Sequence, residues 1–130
     1  AYLDRTPIEG TWSIRQVVCH LADSDIVYAD RMKRVIAEEE PTFFDADPDL
    51  LVPGLFCERR PLEVELDLMQ SVRAHMLPIL GSCEESCFGR NGIHSTDGPM
   101  SLETLLRRVT KHVPHHLAFV EKKVAALQRQ

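Results

Sequence analysis

Nowhere in this chain is there an apolar run long enough to cross a bilayer, so no membrane-spanning helix is expected. Basic residues are in the minority. Fifteen Lys and Arg stand against 20 Asp and Glu, which leaves a formal charge of −5 and a pI near 5.6. That is the wrong sign for a phosphate-binding surface and excludes nucleic acid as the expected partner. The chain has no glycine-rich phosphate loop and no G-x-S-x-G nucleophile elbow. No C-x-x-C pair occurs among Cys19, Cys57, Cys83 and Cys87, which argues against the usual cysteine zinc site. Cys83 and Cys87 with His94 leave only a weaker three-ligand alternative. No secretory leader pattern is present, so reduced thiols and a cytoplasmic location are expected. Internal repeats and low-complexity tracts are also missing.

What remains is a chain of 130 residues, 44% apolar, expected to fold as one domain over residues 1–130. Three stretches carry a helical period. In the first, Ile14, Val17, Val18, Leu21 and Tyr28 share a face, with Asp25 interrupting it. Thr11 or Ser13 opens this helix, and it runs to about Ala37, ahead of Glu38-Glu39-Glu40-Pro41. The second starts at Pro61 and reaches about Leu80 on Leu62, Leu66, Met69, Val72 and Met76, leaving His75 exposed. The third follows Ser101 as its cap and runs to about Gln128. Pro114 in its interior removes a backbone hydrogen bond, so a kink is expected near residue 110. Residues 41–60 read as a long, partly buried connection whose aromatics cover one end of the bundle. There Asp45, Asp47 and Asp49 lack the glycine and glutamate of a calcium loop and read as solvated or capping residues. Residues 81–100 read as polar loop with short extended pieces, and Asp97-Gly98 marks a turn.

The chemistry gathers on the third helix, in Lys111-His112-Val113-Pro114-His115-His116. At about 100° per residue, His116 lies within the apolar stripe and His112 at its edge, while His115 points away. Two His at i and i+4 can reach one metal ion together. On the first helix His20, Ser24, Val27 and Arg31 form a line bordering the apolar face. His20 is thus placed to meet the pair across a helix–helix contact. Satisfied boundary histidines without a metal are the plainer alternative. Cys19 and His20 diverge by about 100° on the helix, so they do not form a thiol–imidazole catalytic pair. Asp23 reads as a cap or surface contact. Arg31 reads as half of a buried salt bridge, or as a group that binds an anionic substrate. His94, in the loop before the last helix, is either exposed or close to the open side of a metal.

The segment Trp12-Ser13-Ile14-Arg15-Gln16-Val17-Val18-Cys19-His20-Leu21-Ala22-Asp23-Ser24 resembles the W-[ST]-x-R-[EQ]-V-x-x-H-L-A-D-[ST] signature of the DinB-like superfamily. Arg31, Glu40-Pro41-Thr42, Gly98-Pro99-Met100-Ser101-Leu102-Glu103 and His112-x-x-His115-His116-Leu117 extend the resemblance across most of the chain. The resemblance implies an all-α, up-down four-helix bundle, with the family's first helix absent or truncated ahead of Trp12. It implies a divalent metal, zinc or nickel, on His20, His112 and His116, with His115 as a neighbouring non-ligand. Phe119 departs from the Gln or His many members carry. The family's activities are those of YfiT-type metal-dependent hydrolases and of low-molecular-weight-thiol transferases, and dimers are common in it.

The expected function is therefore a three-His metal site with open water positions, acting on a small molecule such as a thiol, in a homodimer. The alternative is a non-catalytic bundle with a structural metal or none, acting in dimerisation or binding.

Overall fold

The computed structural model describes residues 2–8 and 10–129. Its first long helix, α1 (Ile14–Ala37), is the axis of the fold. Ser13 caps it: the hydroxyl accepts from the Gln16 amide, and the Gln16 side chain accepts from the Ser13 amide in return. This reciprocal pair satisfies two of the helix's orphan donors and fixes its start. The other long helices, α3 (Leu62–Gly81) and α4 (Leu102–Gln128), both pack along α1 and touch each other little. Pro61 is the residue before α3 rather than its first, and Ser101 caps α4 through the Thr104 amide. Helix α4 continues unbroken through Pro114. Ahead of Trp12 the described residues form only a 3-10 turn, Tyr2–Asp4.

The connections are more ordered than their sequence indicates. Residues 41–60 contain a two-residue strand, β1 (Thr42–Phe43), and a short helix, α2 (Pro48–Gly54). Asp47 caps α2 by accepting from the Asp49 amide, which bears out its reading as a capping residue. A hairpin of β2 (Asn91–His94) and β3 (Gly98–Ser101) turns at Asp97-Gly98, with Gly98 at φ 77°. Strand β1 adds to it in parallel, Thr42 opposite Ile93 and Phe43 opposite His94. The fold is thus helical with one three-stranded sheet clipped to its side.

The main core lies between the C-terminal half of α1, the C-terminal half of α3 and the start of α4. Met32, Val35, Met76, Leu102 and Leu105 are buried there, sealed by Phe43 and Met100 from the sheet. Gly92 is required: a Cβ on it would overlap the Phe43 ring. Phe44 and Phe56 remain exposed, so only one of the three connection aromatics covers the bundle end. A smaller cluster, Cys19, Val52 and Cys57 with Trp12 against it, ties α2 to the first half of α1. One ionic tie with a buried carboxylate crosses the helices. Asp25, which interrupts the apolar face of α1, receives two bonds from Arg73 of α3, and Arg73 also donates to the Val109 carbonyl of α4. No described helix is long and apolar enough to cross a membrane.

Candidate metal centre

Between the two apolar clusters, α1 and α4 run side by side and bring three imidazoles together. His20 Nε2 lies 3.0 Å from His112 Nε2, and His116 Nε2 lies 3.1 Å from the same atom. The three rings meet edge to face, with centroids 4.7 to 4.9 Å apart. Among the described residues this is the one group of three or more His, Cys, Asp or Glu whose ligand atoms converge. His115 is exposed and packs on His116 and Phe119, outside the cluster, as the helical spacing requires. The Cys83, Cys87 and His94 alternative does not assemble.

Burial dominates the proton affinity of all three rings. It lowers His20 to about 4, with the charge of His116 adding to the effect and Asp23 opposing it. His112 falls to about 4 by burial and then by the charge of His20, against Asp25. His116 falls to about 4 by burial, then by His112, His115 and Lys123. All three are neutral near pH 7 and offer lone pairs. Behind them, Ser24 Oγ lies 3.5 Å from His20 Nδ1, and the Trp12 ring backs His20 at 5.0 Å. His112 Nδ1 is buried with no hydrogen-bond partner among the described residues.

The donor set and spacing fit a divalent ion. Imidazole nitrogens held about 2.0–2.1 Å from one ion, meeting at about 90° to 110°, are about 2.9 to 3.4 Å apart. Two of the nitrogen separations observed here fall in that range.

A cavity of about 240 Å³ adjoins the cluster. Its wall on α1 is the line seen in the sequence, His20, Ser24, Val27 and Arg31. Asp23, expected at a surface or cap, is half-buried in this wall and held by two bonds from Arg60, 2.7 and 3.1 Å, whose other bonds go to Glu65. It is therefore engaged in a structural clamp, which raises the proton affinity of Arg60, chiefly through Glu65 and then Asp23. His94 also lines the cavity and is buried. Its Nδ1 accepts from the amides of Thr96 and Asp97, so its proton sits on Nε2, which donates to Asp45 Oδ1 at 3.0 Å. With both nitrogens committed, His94 is no free base.

Three features escaped the sequence. Arg60 comes from the connection and has no periodic signal. The Asp25–Arg73 tie joins two helices whose register only the fold sets. Lys123 does have a signal: it follows His116 by seven residues, on the same helical line, and is 3% exposed. Cys19 turns from His20 to Cys57, with the sulfurs 2.8 Å apart and both thiols free. Burial pushes the Cys19 thiol up to about 12.

The profile of the DinB superfamily matches residues 1–120. The chain is 26% identical over 121 residues to "Putative metal-dependent hydrolase OB0413" of Oceanobacillus iheyensis, covering 92% of this chain and 68% of that protein. It is 29% identical over 119 residues to "Putative metal-dependent hydrolase YfiT" of Bacillus subtilis, covering 91% and 67%. The solved structure of Bacillus subtilis YfiT, described as a probable metal-dependent hydrolase with an unusual four-helix bundle topology, superposes with a TM-score of 0.90 at 26% identity, over 98% of this chain and 73% of that one. The fold is thus shared with Bacillus subtilis YfiT, and with the superfamily profile matching residues 1–120 the chain belongs to the DinB superfamily.

Proposed function

We propose that the chain is a metal-dependent hydrolase of small molecules, with one divalent ion held by Nε2 of His20, His112 and His116. The observation that carries this reading is the convergence of three neutral imidazoles beside a cavity. Imidazole ligation suits zinc or nickel. His20, His112 and His116 would leave such an ion with open positions, where it would supply Lewis-acid chemistry and activate water.

The chain's own residues supply the rest. Helices α1 and α4 hold the rings, and the Asp25–Arg73–Val109 tie fixes their register one turn before His112. Ser24 orients His20 weakly through Nδ1. The cavity wall positions a bound molecule beside His20 and His112. No fourth ligand converges among the described residues, which favours an open, catalytic site over a closed structural one. The carboxylates nearest the cavity are already engaged, Asp23 by Arg60 and Asp45 by His94 and Thr96, so no side chain here is assigned as general base.

The test is hydrolysis by zinc- or nickel-loaded protein across a panel of small esters, amides and lactones. Turnover that a chelator abolishes, that reloading restores, and that His112→Ala lacks supports the proposal. A loaded protein that turns over nothing on the panel, with the cavity open to small ligands, counts against it and in favour of a structural ion.

A further inference from the structure

The charges that line the cavity do not balance. Three carboxylates reach it, and each has a partner. Asp23 is clamped by Arg60. Asp45 accepts from His94 Nε2 and from the Thr96 hydroxyl. Asp97 lies 3.9 Å from Arg108 and 3.8 Å from His94. Arg31 is different. It lines the same cavity and is 9% exposed, yet no carboxylate among the described residues pairs with it. One of its five N–H donors is spent on the Phe44 carbonyl, 2.7 Å away, and its guanidinium lies over the Tyr28 and Phe43 rings at 5.8 and 5.7 Å. The sequence offered a buried salt bridge as one reading of this residue; among the described residues the cation stands without the anion.

A buried guanidinium without a counter-ion is costly to keep. Its planar fork matches a carboxylate in two-point contact. Two aromatic faces and the Phe44 carbonyl hold the group in place, so little side-chain freedom is left to lose on binding. Arg31 follows His20 by three helical turns, about 16 Å along the axis, and its side chain leans back toward His20. Between them lie Ser24 and Val27, and Leu51, Val52 and Met100 complete apolar wall.

We propose that Arg31 binds the carboxylate of the substrate. The ligand is a small monocarboxylate with an apolar middle, its anionic end on Arg31 and its reacting end at His20 and His112. Of the two guanidiniums that line the cavity, Arg108 already has Asp97 beside it, and one uncompensated cation among three compensated carboxylates suits a single negative charge better than a phosphate dianion. This deepens the hydrolase reading and rests on it for the words "substrate" and "reacting end"; the carboxylate site itself does not.

The test is a ligand-observed NMR titration of the full chain, zinc-loaded and metal-free, with hexanoate and with the isosteric hexanamide. Metal content is measured in parallel. Hexanoate is expected to bind both forms, and to bind more tightly than hexanamide by about ten- to a hundredfold. Arg31→Met is expected to remove that preference while the zinc content stays as in the wild type. Arg31→Lys, which keeps the charge and guards against a folding defect in Arg31→Met, is expected to retain part of it. Equal binding of acid and amide by the wild type overturns the proposal. So does hexanoate binding that survives Arg31→Met and is lost in His112→Ala, because the acid then sits at the histidines. A wild type that holds no metal and still prefers hexanoate through Arg31 defeats the hydrolase reading and leaves the carboxylate site standing.

Discussion

Removing Arg73 should cost far more than removing its partner Asp25. The Asp25 side chain is 1% exposed, whereas that of Arg73 is 41% exposed. Arg73→Met strands a carboxylate in the core, where water cannot reach it. Loss of one partner of a buried pair costs about 3–5 kcal/mol, and the half-exposed edge of Arg73 places this case near 3. Asp25→Leu is the opposite case. It leaves a guanidinium that water already touches and that keeps its bond to the Val109 carbonyl. An apolar side chain then fills a buried position on the apolar face of α1. Its cost should stay within about 1 kcal/mol, since apolar replacement of a buried charge is often near neutral. The double variant should resemble Asp25→Leu, not the sum of the two. In a chain of this size Arg73→Met should lower Tm by roughly 10 °C. Urea denaturation of the metal-free proteins at neutral pH measures all three. If Asp25→Leu costs as much as Arg73→Met, or if the costs of the two single variants add, the desolvation argument is wrong.

Acid should destabilise the metal-free protein in a definite window. The three cluster histidines bind protons at about 4 when folded, against an ordinary value near 6.5. Between these values the unfolded chain holds more protons, so the contribution to stability is complete above about 6.5 and is lost as pH falls toward 4. Denaturation midpoints of chelator-treated protein across that range check this, and His112→Ala/His116→Ala should flatten the dependence. Gly92→Ala should destabilise by about 1–3 kcal/mol, because its methyl group meets the buried Phe43 ring where the strand crosses it. Calorimetric melting shows this, and an unchanged Tm would contradict the close approach.

The long helices were legible because each writes its period over twenty or more residues. The Ser101 cap was legible because its chemistry is local, and Ser13 was one of two candidates beside Thr11, between which the structure decides. His20 could be placed at the edge of a core face from spacing alone, and the opposing pair on α4 likewise. That the three rings meet needed the helix pairing, for which the family resemblance stood in. Strand β1 is two residues long and has no period to read. Helix α2 is hidden by its two prolines, although Pro48 at the first helical position and Asp47 before it are a start signal in their own right. The partners of Asp23, Asp25 and His94 lie 37, 48 and 49 residues away in sequence, at Arg60, Arg73 and Asp45. Only the tertiary fold selects them. Arg31 was visible as a candidate for either role, and its lack of a counter-ion among the described residues could be seen only once the carboxylates lining the cavity had been located.

Metal stoichiometry tests the central claim most directly. The purified chain, the His20→Ala variant and the His112→Ala/His116→Ala variant are loaded with zinc or nickel, desalted and assayed by elemental analysis, with far-UV circular dichroism as a check on folding. About one ion per wild-type chain, lost in both variants while the helices persist, is the expected result. Unchanged metal content in the variants, or no metal in any of the three after loading, would contradict a site built from His20, His112 and His116.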